Sequence, residues 1–270
     1  LNAVVAEAES YAPIASLFAA EHAEWDNDLP MYQALAHRAG GPILDLACGT
    51  ARVGLALATA GFEVHGIDAS DALLKIAGDQ SRQLEVQISL ARGDMRRLSH
   101  SVEFGAVFCA LDSFLHLTST DDQLDALRSA IRVLKPGGLL ALDVFNPTLD
   151  QLAARDSTLR LQGTFDDTDG KTVVHLVSWD VDPSSQQIDA THFYDSLRAD
   201  GSLHRITTHM QMRYIHRFEL ELALRHVGFE NIETFGSVEL EPYDGLGDRL
   251  IAVATKPDTP PLAKASTDQV

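Results

Sequence analysis

Apolar and polar positions follow two different rhythms along this chain, and the place where the rhythm changes divides it. Up to about residue 147, short apolar runs alternate with stretches in which apolar residues recur every three or four positions. Ile43, Leu44 and Leu46 read as a strand covered on both faces, and Val53 to Ala58 as the helix that follows. FEVHGID, VQISLARGD, EFGAVFCA and LLALDVFNP repeat the strand signal, with ASDALLKIAGDQ and TDDQLDALRSAIRVL as helices between them. Ser70 is placed to cap the first of these helices and Thr120 the second, each with acidic residues in the opening turn. Between residues 150 and 215 the period falls to two. KTVVHLVSWDV, QQIDATHFYDSLR and LHRITTHMQMRYIH are rich in β-branched and aromatic residues and are separated by the turn compositions DPSSQ and ADGS. This predicts an antiparallel meander of three strands. Helical spacing returns in RFELELALRHVGF, and ENIETFG and RLIAVAT close the pattern as two more strands.

The order of elements predicts an α/β fold: a doubly wound, seven-stranded, mostly parallel sheet with an antiparallel last strand, carrying an antiparallel β insertion. The expected divisions are a helical cap over residues 1–40, a core over 41–149 and 215–256, the insertion over 150–214, and a disordered tail over 257–270. In the cap, residues 9 to 39 look helical and amphipathic, with Tyr11, Ile14, Leu17, Phe18, His22 and Trp25 spaced to share one broad face, the turn Asn27-Asp28-Leu29-Pro30 breaking the run, and Met31 to Ala39 forming the helix that leads into the first strand.

Composition narrows the function. With 270 residues, 45% hydrophobic and 22% charged, the chain has material for a sizeable core. Its 21 basic and 39 acidic residues give a formal charge of −18, which repels a phosphate backbone, so nucleic acid is not an expected partner. No stretch reaches the roughly 18 consecutive apolar residues of a membrane span. The two cysteines, Cys48 and Cys109, have no C-x-x-C spacing, so neither a metal cluster nor a disulfide framework is expected. The segment LNAVVAEAES has neither the basic region nor the apolar core of an export signal, and a cytoplasmic protein is expected.

Candidate chemistry gathers at the ends of the first two strands. Cys48-Gly49-Thr50-Ala51 is a tight turn between a strand and a helix, the place where open α/β sheets bind ligands. Asp68 closes the next strand at the distance of an acid that accepts from a ribose diol. With only Gly49 and Gly54 in the stretch, a pyrophosphate-binding loop is poorly supported. DLACGTA followed by GIDAS instead resembles the cofactor-binding half of the class I S-adenosylmethionine-dependent methyltransferases, whose usual pattern is D/E-x-x-x-G-x-G. Asp45 matches the acidic position, Gly49 the first glycine, and Ala51 stands where a second glycine is usual, a departure whose methyl group would narrow the approach to the cofactor. LDSFLHL resembles the N-S-x-x-H-L of small-molecule methyltransferases, with Asp112 in place of Asn, and Lys135-Pro136-Gly137-Gly138 before the fifth strand is a further family feature.

The resemblance implies S-adenosyl-L-methionine as cofactor, with S-adenosyl-L-homocysteine as product. It implies cofactor contacts from Asp45, Ala47, Gly49, Thr50, Asp68, Ala69, Asp94, Met95 and Leu111, with the Asp94 carboxylate accepting from the adenine amino group. His116 is the candidate base. Tyr11, Trp25, Asp112, Ser113, His192, Tyr194 and His209 are candidates to meet the acceptor, and no metal ligand is expected. The activity implied is methyl transfer to nitrogen or oxygen of a small molecule by in-line displacement. The alternative is a protein that binds the cofactor without transferring its methyl group. A homodimer joined through the insertion is the oligomer this layout suggests.

Overall fold

The computed structural model describes residues 10–99, 102–198 and 200–258. The tail expected to be disordered lies outside the described residues from position 259 onward. A short 3-10 turn, Ala12–Ile14, leads into helix α1, Ala15–Glu21, and helix α2 spans Leu29–Ala39. Two helices with a loop between them are as expected, but the second starts earlier: Leu29 and Pro30, read as part of the turn, form the first turn of α2, where the missing N–H of Pro30 leaves no bond unmade.

The core then runs β1 (Ile43–Leu46), α3 (Arg52–Thr59), β2 (Val64–Asp68), α4 (Asp71–Gln83), β3 (Ser89–Arg92), β4 (Phe104–Cys109), α5 (Thr120–Val133) and β5 (Leu134–Phe145). Ser119, one residue earlier than expected, caps α5 by accepting from the backbone N–H of Asp122. A short helix, α6 (Leu149–Ala153), precedes a second sheet of β6 (Arg160–Asp166), β7 (Thr172–Asp182), β8 (Gln187–Leu197) and β9 (Leu203–Arg213). The chain returns through α7 (Arg217–Val227), β10 (Glu230–Phe235) and β11 (Arg249–Thr255).

The first sheet has the order β10-β11-β5-β4-β1-β2-β3. Its strands are parallel except β11, which runs antiparallel to both neighbours. Alternate residues of the central strands feed two separate cores. Leu44, Leu46, Val107, Leu140 and Leu142 pack with Leu127 of α5 and Leu220 and Leu224 of α7. Ile43, Ala106, Phe108, Leu139 and Ala141 pack with Met31 and Leu35 of α2 and Val53 and Leu57 of α3. Both faces of β1 and β4 are therefore buried, which is why these strands read as continuous apolar runs.

The second sheet has four antiparallel strands in the order β6-β7-β8-β9, one more than expected. Its inner face, with Val173, Val177, Ile188, Ala190, Tyr194 and Met210 buried, lies over α1 and over the turn Ser113–His116. That turn, reached from the end of β4, is where the two sheets meet.

Candidate active site

The carboxyl ends of β1, β2 and β4 converge on one cavity of about 1170 Å³, its open mouth included. Its floor is strained backbone. Ala47, Gly49 and Ala51 after β1 have φ of 55°, 56° and 59°, and Leu111 and Asp112 after β4 have φ of 46° and 66°. Left-handed geometry costs a residue bearing a side chain roughly 1–2 kcal/mol, so four such residues at one site mark a backbone held in place by its surroundings. Gly49 alone takes this geometry without penalty.

Asp45 does the holding after β1. Its side chain is buried, and its Oδ2 accepts from the backbone N–H of Gly54 at 2.9 Å. Gly54 is the third residue of α3, whose own cap position, Ala51, offers no side-chain acceptor. Asp45 therefore caps α3 from the neighbouring strand. A Cβ on Gly54 would come within 2.9 Å of this same oxygen and 2.8 Å of Ile88 Cδ1, so glycine is needed there for close approach. Burial pushes the Asp45 carboxyl up to about 7, against the pull of the Gly54 N–H and the Arg52 guanidinium.

Asp68 ends β2. Its Oδ2 accepts from the backbone N–H of Gly49 at 2.8 Å and its Oδ1 from that of Ser70 at 2.7 Å. The carboxylate thus ties the turn after β1 to the cap of α4, and each oxygen keeps a lone pair for a further donor. Burial raises the Asp68 carboxyl, opposed by these two N–H groups and by His116.

Ala47, Thr50, Ala69, Met95, Leu111 and Ser113 line the cavity with Asp45, Gly49 and Asp68. Tyr11 and His116 meet across its far side, with 3.1 Å between the Tyr11 hydroxyl and His116 Nε2. Phe18 and His22 of the cap, expected only as part of its broad face, and Arg52 of α3 also line it and are not among the candidate site residues. Arg52 forms a bidentate pair with the buried Asp28, 2.6 Å on each arm, and donates to the Trp25 carbonyl at 2.9 Å, so it clamps the loop after α1 onto the core.

Five of the named residues sit differently from the expectation. Asp94 does not line the cavity, although Gly93 and Met95 beside it do; its carboxylate is taken by Arg96, at 3.0 Å from Nε and 2.6 Å from Nη2, and Arg96 reaches on to Asp122. Asp112 also points elsewhere. Its Oδ1 accepts from the Phe145 N–H at 2.5 Å, and it pairs with Arg249, which also binds the buried Asp143. Trp25 is 47% exposed and offers its carbonyl, not its ring, to the site. His209 lies on the outer face of the second sheet, bonded to Thr191, because the β9 register sends Thr208 and Met210 inward instead. Ala51 is fully buried and packs with Leu55 and Ala77, away from the cavity, so its methyl group does not narrow the approach.

His192 and Tyr194 are on the inner face of the second sheet, but neither lines this cavity. They belong to a polar cluster with His175 and Glu21, neither of which was singled out in the sequence. Among the described residues, no group of three or more His, Cys, Asp or Glu is arranged to hold a metal ion, and no helix is long and apolar enough to cross a membrane.

Comparison with known proteins places this geometry among others. Residues 43–138 match the family model described as a methyltransferase domain. A putative methyltransferase of Bacillus subtilis (strain 168), YqeM, is 33% identical over 188 residues, covering 62% of this chain and 76% of the relative. The glycine/sarcosine N-methyltransferase of Parasynechococcus marenigrum (strain WH8102) is 31% identical, covering 73% of this chain and 66% of the relative. Among solved structures, the CcbJ methyltransferase of Streptomyces caelestis superposes with a TM-score of 0.72 at 25% identity, covering 92% of this chain and 96% of that one.

Proposed function

We propose, from the premise that this chain belongs to the methyltransferase family, that it transfers the methyl group of S-adenosylmethionine to nitrogen or oxygen of a small molecule, with an amine the favoured acceptor. The observation that carries this reading is the cavity itself. It presents the Asp68 carboxylate with acceptor capacity to spare, an apolar lining through Ile67, Leu73 and Met95, and the polar groups of Tyr11, Ser113 and His116.

These residues fit the donor that the family pattern implies. Asp68 would hold the ribose diol, Ala69, Gly93 and Met95 would border the adenine, and Asp45, Ala47, Gly49, Thr50 and Leu111 would surround the amino-acid portion and the sulfur. Bound there, S-adenosylmethionine supplies a methyl carbon on a positive sulfonium, a leaving group that needs no activation by acid. What remains for the chain is alignment, exclusion of water and removal of a proton from the acceptor. Phe18 and His22 close the cavity from above, and the Arg52–Asp28 clamp keeps the loop that follows them in place. His116 is within hydrogen-bond reach of Tyr11, and a neutral imidazole there can take a proton from the acceptor, a role worth roughly 100- to 10,000-fold in rate. The amine preference is supported by the glycine/sarcosine N-methyltransferase among the relatives and by the excess of acidic side chains.

A protein that binds the donor without using it would be the competing reading. Its sequence argument is Ala51, and the packing of that methyl group against Leu55 and Ala77 favours the transfer reading instead. Incubation with methyl-labelled S-adenosylmethionine and a panel of amines, phenols and hydroxy acids tests the proposal. Label in an amine product is the expected result. Tight donor binding with no label in any acceptor would overturn it.

A further inference from the structure

The roof of the site carries a chain of titratable groups that the proposed transfer does not yet use. Glu21, the last residue of α1, places Oε1 2.7 Å from His175 Nδ1. Nε2 of His175 lies 2.9 Å from Nδ1 of His192 on the adjacent strand. His175 is 4% exposed, and the Tyr194 ring stacks on it with centroids 4.2 Å apart while its hydroxyl donates to the other oxygen of Glu21. A buried imidazole and phenol grouped with a half-buried carboxylate and a second half-buried imidazole are expensive to desolvate, and the arrangement calls for a reason.

Hydrogen-bond roles fix the protons. A carboxylate can only accept, so His175 must carry its proton on Nδ1, and in its neutral form its Nε2 is a bare acceptor. The contact at 2.9 Å is then made only if His192 in turn carries its proton on Nδ1. That leaves the lone pair of His192 Nε2 as the open end of the chain.

The register shows where this end lies. Thr208 pairs directly with His192 across the sheet, and its hydroxyl donates to the Ser10 carbonyl at 2.8 Å. The residue after Ser10 is Tyr11, which meets His116, and β9 packs on the turn carrying His116 as well as on the turn Ala12–Ile14. His192 therefore stands beside the end of the cavity where the acceptor would enter. We propose that Glu21, His175 and His192 form a relay that removes the acceptor's proton, with His192 and not His116 taking it from the acceptor and Glu21 and His175 as positioning residues; this rests on the methyl-transfer reading.

The groups facing His192 explain why one histidine would not suffice. They are His175 from β7, Glu21 from α1 and His116 from the turn after β4, with His209 on the far face of β9. Burial pushes the His192 imidazolium down to about 4, reinforced by His175 and opposed by Glu21. A base so weak cannot keep a proton at neutral pH. In the relay it need not: the N–H bond of the acceptor ammonium breaks with its electron pair left on nitrogen, the proton joins His192 Nε2, and the Nδ1 proton of His192 passes to His175 Nε2. His192 ends neutral, and the positive charge rests on His175 against the Glu21 carboxylate. One proton has moved and no other reactant is needed.

Two measurements test this on the full-length protein. Long-range proton–nitrogen spectra of the ¹⁵N-labelled wild type at pH 7 should show both His175 and His192 as neutral Nδ1–H tautomers, against the Nε2–H form that free histidine prefers. Either ring in the Nε2–H form would overturn the relay, and this reading needs no variant. With labelled S-adenosylmethionine and glycine, sarcosine or glucosamine as acceptor, Glu21→Gln should lower turnover at saturating amine by at least about tenfold, keep the donor dissociation constant, and shift the acidic limb of the pH profile. Glu21→Asp should restore part of the loss. Turnover indifferent to Glu21→Gln overturns the relay alone, whereas a wild type that methylates none of these amines overturns the relay and the amine reading together.

Discussion

Replacing Asp45 by Asn should make the protein more stable at pH 8 and change the way its stability depends on pH. The side chain is buried, one backbone N–H is its only hydrogen-bond donor among the described contacts, and its carboxyl titrates near 7 instead of the 3.8 usual for aspartate. The folded protein thus holds a proton that the unfolded chain has already lost. Stability from this group is complete below pH 3.8 and is lost as pH rises through about 7, because over that window the folded state binds more protons than the unfolded state. The gap corresponds to on the order of 4 kcal/mol when ionisation is complete. The loss of attraction to Arg52 in the Asn variant reduces the gain, so about 1–3 kcal/mol at pH 8 is expected. Asn can still accept from the Gly54 N–H, which keeps α3 capped, so the variant isolates the charge from the hydrogen bond. Urea melts of both proteins at pH 5 and pH 8 decide it. The wild type should lose more stability than the variant between the two, while the other titrating groups, present in both, cancel. Equal losses, or a variant less stable at pH 8, would refute the claim that a buried carboxylate is being ionised against its surroundings.

Asp68→Ala should weaken S-adenosylmethionine by roughly 2–4 kcal/mol, two charge-assisted hydrogen bonds with allowance for partial loss, and unchanged affinity by calorimetry would remove Asp68 from the donor site. Gly54→Ala should destabilise by roughly 1–2 kcal/mol in a urea melt, because the added methyl meets Asp45 and Ile88 below 3.0 Å and overpacking outweighs the gain in helix propensity. Ser119→Ala should cost about 1 kcal/mol through loss of the α5 cap; no change would mean that the cap contributes nothing to folding. Ala51→Gly should leave stability within about 1 kcal/mol, since relief of left-handed strain offsets a lost buried methyl, and should leave donor affinity unchanged. Tenfold tighter binding would put that methyl in the cavity after all.

The sequence disclosed most where burial is symmetrical. β1 and β4 are covered on both faces, so ILDL and FGAVFC declare themselves without knowledge of their partners. β6 stayed hidden for the opposite reason. It is an edge strand with mostly exposed residues, and its alternation, RLQGTFD, is carried by only two apolar side chains, Leu161 and Phe165. Asp112 and His209 sit differently for another cause, contacts with groups distant in the chain. Nothing near Asp112 announces Arg249, and nothing in TTHMQ tells which of Thr208 and His209 faces inward until the pairing with β8 is known. The Glu21–His175 pair did leave a signal. Glu21 follows Ile14 and Leu17 by seven and four positions, the spacing of one helix face, and His175 falls between the buried Val173 and Val177 in strict alternation.

Helix α1 is a partition between two chambers. Phe18 looks into the cavity over β1 and β2, while Ile14, Leu17 and Glu21 look toward the second sheet. A donor seated against Phe18 therefore bears on the same helix that carries Glu21 to His175. The two ligands should bind in a fixed sequence, the donor first and the acceptor after it. In steady-state kinetics such a molecule shows itself by its product inhibition, with the spent donor competing against fresh donor and not against the acceptor.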